Sequence, residues 1–215
     1  MSFLLLSFSF FCYSMSISTW YLYLPEFLYK NGASLQDSSL AVSVSGIGSM
    51  ISRILVGFSA NDTSIGSAIF YNCLPTFVAT LTLFLPLFSL SSIGRIMFGF
   101  LTGLYTGGQL ISLLPILLDT VDVKLFAAGM GITSLSYGIG TLIGPPIAGL
   151  MYEQSGQYFT VFIFSAAMLF LTTATGFCST LLRRSTDSCE RGRESDITST
   201  EAPSEADPLA DFVSC

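Results

Sequence analysis

The sequence predicts an all-α polytopic membrane protein with six transmembrane helices, and three observations predict it. Hydrophobic residues make up 51% of the 215-residue chain, charged residues only 10%, and mean hydropathy is +0.69, whereas a soluble domain carries about 25% charge. Six apolar segments follow one another at 2–24, 38–60, 64–88, 92–118, 125–151 and 158–182. Each is near the roughly 20 residues that a helix rising about 1.5 Å per residue needs to cross about 30 Å of hydrocarbon. Between them lie short connectors with turn chemistry: KNGAS, NDTSIG, SLSS, DTVDVK and YEQSGQ.

Each segment has its own justification. The first, MSFLLLSFSFFCYSMSISTWYLYLP, lacks the basic start of a secretory signal and its apolar run is too long for one. It ends in Trp20, Tyr21 and Tyr23, an aromatic cluster of the kind found at membrane interfaces. The third and sixth, FYNCLPTFVATLTLFLPLF and FTVFIFSAAMLFLTTATGF, carry no charge and many phenylalanines, which suits lipid-facing support helices. The fourth places Gly99, Gly103 and Gly107 four residues apart, on one helical face that lets another helix approach closely. The fifth gathers Gly129, Gly131, Gly138, Gly140, Gly144 and Gly149 around Pro145-Pro146. Two adjacent prolines remove backbone donors, so a kink or break is expected there, in a helix that moves or lines a site.

The second segment, SSLAVSVSGIGSMISRILVGFSA, carries a single charge, Arg53, in an otherwise apolar stretch. A guanidinium stays protonated, and placing it near the centre of a spanning helix costs roughly 2.5 to 3.5 kcal/mol even on the lenient insertion scale. Charges inside a membrane face a water-filled cavity or a partner, which makes Arg53 a candidate anion ligand. Ser45, Gly46, Ser49, Arg53 and Gly57 recur at helical spacing and form a small, polar face, while Ile47, Met50, Ile51, Ile54 and Leu55 cover much of the rest. A substrate carboxylate would take paired hydrogen bonds from the Arg53 guanidinium, with Ser49 and Ser45 beside it. The competing reading is that Arg53, about seven residues from the end of the span, snorkels to the interface.

Other charges make weaker candidates. Residues 1–182 hold four basic and six acidic side chains, and the tail from Arg183 holds four basic and eight acidic, so the net charge of -6 belongs mostly to the tail. Arg95 reads as an interfacial anchor, Glu26 as an interfacial carboxylate, and Asp119, Asp122 and Lys124 as a solvated turn. Residues 183–215 are polar and poor in aromatics, and are expected to be a disordered cytoplasmic tail. Arg183 and Arg184 directly after the last span place it in the cytoplasm, and an even number of spans puts the N-terminus there too. The sequon Asn61-Asp62-Thr63 then lies in a cytoplasmic connector, out of reach of glycosylation. The five cysteines, at 12, 73, 178, 189 and 215, have neither metal-ligand nor disulfide spacing. There is no histidine to relay protons near neutral pH. Nothing resembles a hydrolytic triad, a phosphate-binding loop or a basic nucleic-acid surface, so neither an enzyme, a cofactor nor a nucleic-acid partner is expected.

A family resemblance rests on particular stretches. GIGTLIGPPIAGLMYEQSG (138–156) is similar to the eleventh helix of the monocarboxylate transporter family of the major facilitator superfamily. YLPEFLYKNGAS, GIGSMISRILVGFSAN and GQLISLLPILLDTV resemble it in the same order along the chain. The resemblance covers about residues 1–182 and implies half of a major facilitator fold, helices seven through twelve. It implies a transporter of small monocarboxylates or related, even zwitterionic, metabolites at the plasma membrane, by symport in many members. It further implies a partner, either an N-terminal six-helix half, which supplies the family's first-helix lysine, or another subunit. Where proton-coupled members resemble one another in an aspartate four residues before the arginine, this chain has Ser49. The alternative function is a truncated, non-transporting membrane protein acting as a subunit or decoy.

Overall fold

The computed structural model describes residues 2–60, 67–89, 91–121 and 123–200, with backbone alone for 59–60, 67–70, 89, 119, 123 and 183–200. The sequon at 61–63, Asp122 and Cys215 lie outside the described residues, as does the side chain of Cys189. The described chain is helical, in the order α1 (Ser2–Lys30), α2 (Leu35–Ala60), α3 (Ser67–Leu83), α4 (Leu85–Ser89), α5 (Ser92–Thr120), a 3-10 turn (Val123–Leu125), α6 (Phe126–Ser155) and α7 (Tyr158–Thr200). Five of these helices are long and apolar enough to cross a membrane: α1, α2, α5, α6 and α7.

Two expectations differ from this picture. The third apolar segment is divided by a turn at Phe84 into α3 and the five-residue α4, because Pro86 at the start of α4 has no N–H to continue the helical ladder. The disorder expected from Arg183 onward is also not what the chain does up to Thr200, where the backbone of α7 continues as helix. Residues 183–200 contain no proline, and arginine and glutamate are good helix formers, so a helix already nucleated in the last span propagates through them.

α1 is the central element, and it packs against α2, α6 and α7. Leu6, Phe10, Tyr13 and Ile17 of α1 form one buried cluster with residues of α3, α5 and α7, among them Tyr71, Tyr105 and Leu169. Trp20, Leu24, Phe27 and Leu28, further along α1, form a second with Ala41, Leu85, Phe98 and Phe162. Burying α1 on several sides matters because lipid chains are as apolar as leucine and supply no hydrophobic drive to pair helices.

Hydrogen bonds supply part of what is missing. Ser179 donates to the Ser2 carbonyl at 2.9 Å, Ser9 to the Thr172 carbonyl at 2.9 Å, and Ser16 to the Ser165 carbonyl at 2.9 Å. Thr172 and Ser165 return bonds to the Ser9 and Ser16 carbonyls at 3.4 Å. These residues recur every seven positions on two antiparallel helices, so the rungs fall two turns apart along one seam between α1 and α7.

Candidate functional site

The close approach of α2 to α5 is made by glycine. A methyl group built on Gly99, Gly103 or Gly107 would overlap the backbone carbonyls of Ala41, Ser45 and Ser49 in turn. One on Gly48 would lie 2.5 Å from the Phe100 carbonyl. The two backbones therefore touch, and the spacing of four on α5 meets a spacing of four on α2.

This seam divides the polar face read from the sequence. Ser45 is fully buried against Gly103, with its hydroxyl donated back to the Val42 carbonyl at 2.7 Å. Ser49 is half-buried at the edge of the seam. Arg53 is exposed on the other flank, in a stripe with Gly46, Met50 and Gly57, and nothing lies within 4 Å of where a side chain on either glycine would begin. The structure thus joins Ser45 and Ser49 to the glycine ladder and sets Arg53 on the open side of α2. On that side the guanidinium is within electrostatic reach of Tyr13 on α1, whose hydroxyl donates to the Thr106 carbonyl at 3.3 Å.

α6 leans on the opposite side of α1. A methyl group on Gly140 would collide with Phe11 and Ser14, and one on Gly144 would lie 2.7 Å from the Met15 carbonyl. Gly131 and Gly138, by contrast, have nothing within 4 Å. Pro145 and Pro146, where a kink or break is expected, lie inside one continuous helix. The close α1 contact holds the helix through this region, and Tyr23 donates to the Pro145 carbonyl at 3.3 Å, in line with the tolerance of proline where a neighbouring helix meets exposed backbone groups.

Two polar clusters escaped the sequence reading. Arg95, read as an interfacial anchor, is 8% exposed and paired with Asp37 across the start of α2 at 3.2 Å, with a further bond to Ser92 at 2.7 Å. Glu26 accepts a hydrogen bond from Tyr158 at 2.7 Å and lies 3.9 Å from Lys30, which donates to the Tyr152 hydroxyl at 3.1 Å. The partners that cross between helices are 58 to 132 positions apart, so only the Glu26–Lys30 and Ser92–Arg95 spacings within a helix are local. Gln109, fully buried in α5 beside the Tyr71 hydroxyl, is a third polar group that the sequence reading passed over. It is an uncharged residue in a run dominated by the glycine pattern.

One pocket of about 420 Å³ opens at the end of the bundle where α1 begins, lined by Phe3, Thr120, Val121, Leu125, Ala128, Gly129 and Ile132. No cationic side chain lines it. Among the described residues no group of three or more His, Cys, Asp or Glu side chains could hold a metal ion.

Comparison with known proteins agrees with this architecture. The sequence profile of the Major Facilitator Superfamily, a family of transporters rather than enzymes, matches residues 6–212. The chain is 27% identical over 187 residues to monocarboxylate transporter 12 of Xenopus laevis, covering 84% of this chain and 38% of that protein. It is 28% identical over 135 residues to monocarboxylate transporter 9 of Gallus gallus, covering 60% and 25%. An aspyridones efflux protein of Emericella nidulans is 28% identical over 163 residues, covering 73% and 32%. The chain therefore spans between a quarter and two fifths of the length of these relatives.

Proposed function

The chain belongs to the major facilitator superfamily, and from that premise we propose that it serves a transporter of small monocarboxylates or related metabolites in the plasma membrane. In this reading the Arg53 guanidinium is the ligand of the substrate carboxylate. The observation that carries it is the placement of Arg53: the charge in the middle of α2 is exposed rather than buried in the α5 seam, in a stripe with two glycines that have open space beside them. A guanidinium held there repays its insertion cost by binding an anion, with two parallel hydrogen bonds in a low-dielectric setting. Ser49, at the border, supplies a hydroxyl beside it. Ser45 belongs to the helix seam, since it is fully buried and its hydroxyl is already committed.

The names of the relatives support the substrate class, two of them being monocarboxylate transporters. The exposed surfaces of α2 and α6 are the faces that take up the second six-helix half of the carrier or another subunit. α3 and α4 together make a sixth crossing, which returns the tail to the same side as the N-terminus, the cytoplasm. With Ser49 in place of a carboxylate, α2 offers no titrating group next to Arg53, and transport through these helices is not driven by protons through that pair.

The test is discrimination between isosteres. Lactate and lactamide differ by replacement of the carboxylate with a neutral amide, so a carrier built on Arg53 should take up lactate at least roughly tenfold better, the worth of a charge-assisted bidentate contact. Equal uptake of the two would show that Arg53 is not the ligand of the carboxylate.

A further inference from the structure

α6 has two unlike ends. From Gly140 to Gly144 it touches the α1 backbone; beyond Pro145-Pro146 Ala148 is buried and Gly149 lies close to the Tyr23 hydroxyl, while the last turns are exposed except where Tyr152 packs. Tyr23 of α1 bonds the Pro145 carbonyl, and Tyr152, near the end of the helix, stacks on Tyr158 at the start of α7 with ring centroids 4.2 Å apart. The turn between α6 and α7 is only two residues, and Gly156 takes the left-handed conformation, φ 65°, that closes the helix. The Lys30 ammonium lies 4.7 Å from the centre of the Tyr158 ring and 5.5 Å from that of Tyr152. Glu26, one turn back on α1, accepts the Tyr158 hydroxyl bond and faces the same ammonium. Four side chains from three helices thus close on one point.

We propose that Glu26, Lys30, Tyr152 and Tyr158 form a latch that fixes the end of α6 to α1 and α7, and that releasing it frees the segment beyond Pro145-Pro146 to move while the glycine-packed segment before it stays in place. The chemistry suits a reversible device. Lys30 and Glu26 are about half exposed, where an ion pair at 3.9 Å adds little on its own. Most of the hold therefore comes from the cation over two aromatic faces and the hydroxyl bond to a carboxylate, contacts that are individually modest and share partners. Loss of the ammonium removes three of them together: its bond to Tyr152 and its seat over both rings. The prolines supply the hinge, because the Thr141 and Leu142 carbonyls have no N–H at 145 and 146 to receive within the helix. The Arg95–Asp37 pair joins α2 to α5 and is not part of this cluster, so α6 can be released without disturbing the Arg53 helix.

Hydrogen–deuterium exchange on the whole chain in lipid nanodiscs tests the latch without requiring transport, so its failure is distinct from failure of the carboxylate reading. In Lys30→Gln, amide exchange in residues 147–155 should rise roughly tenfold, the effect of losing a cation–π seat and a charged hydrogen bond together. Residues 128–144 should be unchanged, and Lys30→Arg, which keeps a cation over the rings, should stay within about twofold of the unmodified protein. Unchanged exchange at 147–155 in Lys30→Gln, a rise shared equally by 128–144, or failure of Lys30→Arg to restore protection would each overturn the proposal.

Discussion

At the scale of single residues, the chain leaves one cation exposed and buries another in an ion pair. Arg53 and Arg95 both sit in apolar helices, yet Arg95 is held by Asp37 and Ser92 at the edge of a packed seam, while Arg53 is exposed on the opposite flank of α2. That difference was not legible from sequence. Arg53 stood out as an isolated charge, but the partner of Arg95 lies 58 positions away and nothing local announces it. Serine at position 49 carries a prediction of its own. Carboxylate uptake by a carrier containing these helices should change less than about twofold between external pH 6 and 8, because serine does not titrate in that range. Ser49→Asp should create acid-stimulated uptake that a protonophore abolishes. Strong acid stimulation of the unmodified protein, lost with the protonophore, would refute this. Glu26 is the other lesson at this scale. It reads as a lone carboxylate at an interface, and only the fold brings Tyr158 to it.

At the scale of elements, the glycine pattern of α5 was the most legible feature of the fold, since a spacing of four puts all three glycines on one face and the structure seats another helix there. What the pattern did not reveal was which helix it receives, and hence that Ser45 is fully buried in the seam while Ser49 meets it with its backbone and stays half-buried at the edge. Two contrasting substitutions check the assignment by thermal unfolding in detergent. Gly103→Leu should destabilise the chain by on the order of 2 kcal/mol or more, because its side chain would occupy the position of the Ser45 backbone. Gly131→Ala should be neutral to within about 0.5 kcal/mol, since nothing lies within 4 Å of it. Equal effects would mean the seam is misplaced. The serine ladder between α1 and α7 was legible in principle as a seven-residue period, 2, 9, 16 against 165, 172, 179, but it is hidden in segments that otherwise read as uniformly apolar. Ser9→Ala with Thr172→Ala removes one reciprocal rung and should cost about 1 kcal/mol, near twice the typical interhelical bond in a membrane. No loss of stability in the double variant would assign the seam to packing alone.

At the scale of the whole molecule, composition settled the class early: so little charge in so apolar a chain leaves only a membrane protein, and the family profile across residues 6–212 agrees. The count of crossings was harder, because the third segment is long enough on paper but its helix turns at Phe84. Six crossings require α3 and α4 to act together, and they put an epitope at Ser204 on the cytoplasmic side. Antibody should reach such a tag only after the cells are permeabilised, and staining of intact cells would reverse the topology. Whether the open flank of α2 is a carboxylate site centred on Arg53 is decided by uptake of labelled lactate. A carrier containing these helices would be compared as the unmodified protein, Arg53→Ala and Arg53→Lys, at matched surface expression. Arg53→Ala should lose uptake at least roughly tenfold, and Arg53→Lys should recover only a minor part, because a point charge lacks the planar fork. Undiminished uptake by Arg53→Ala would contradict the assignment and leave Arg53 as a side chain that merely reaches for the membrane surface.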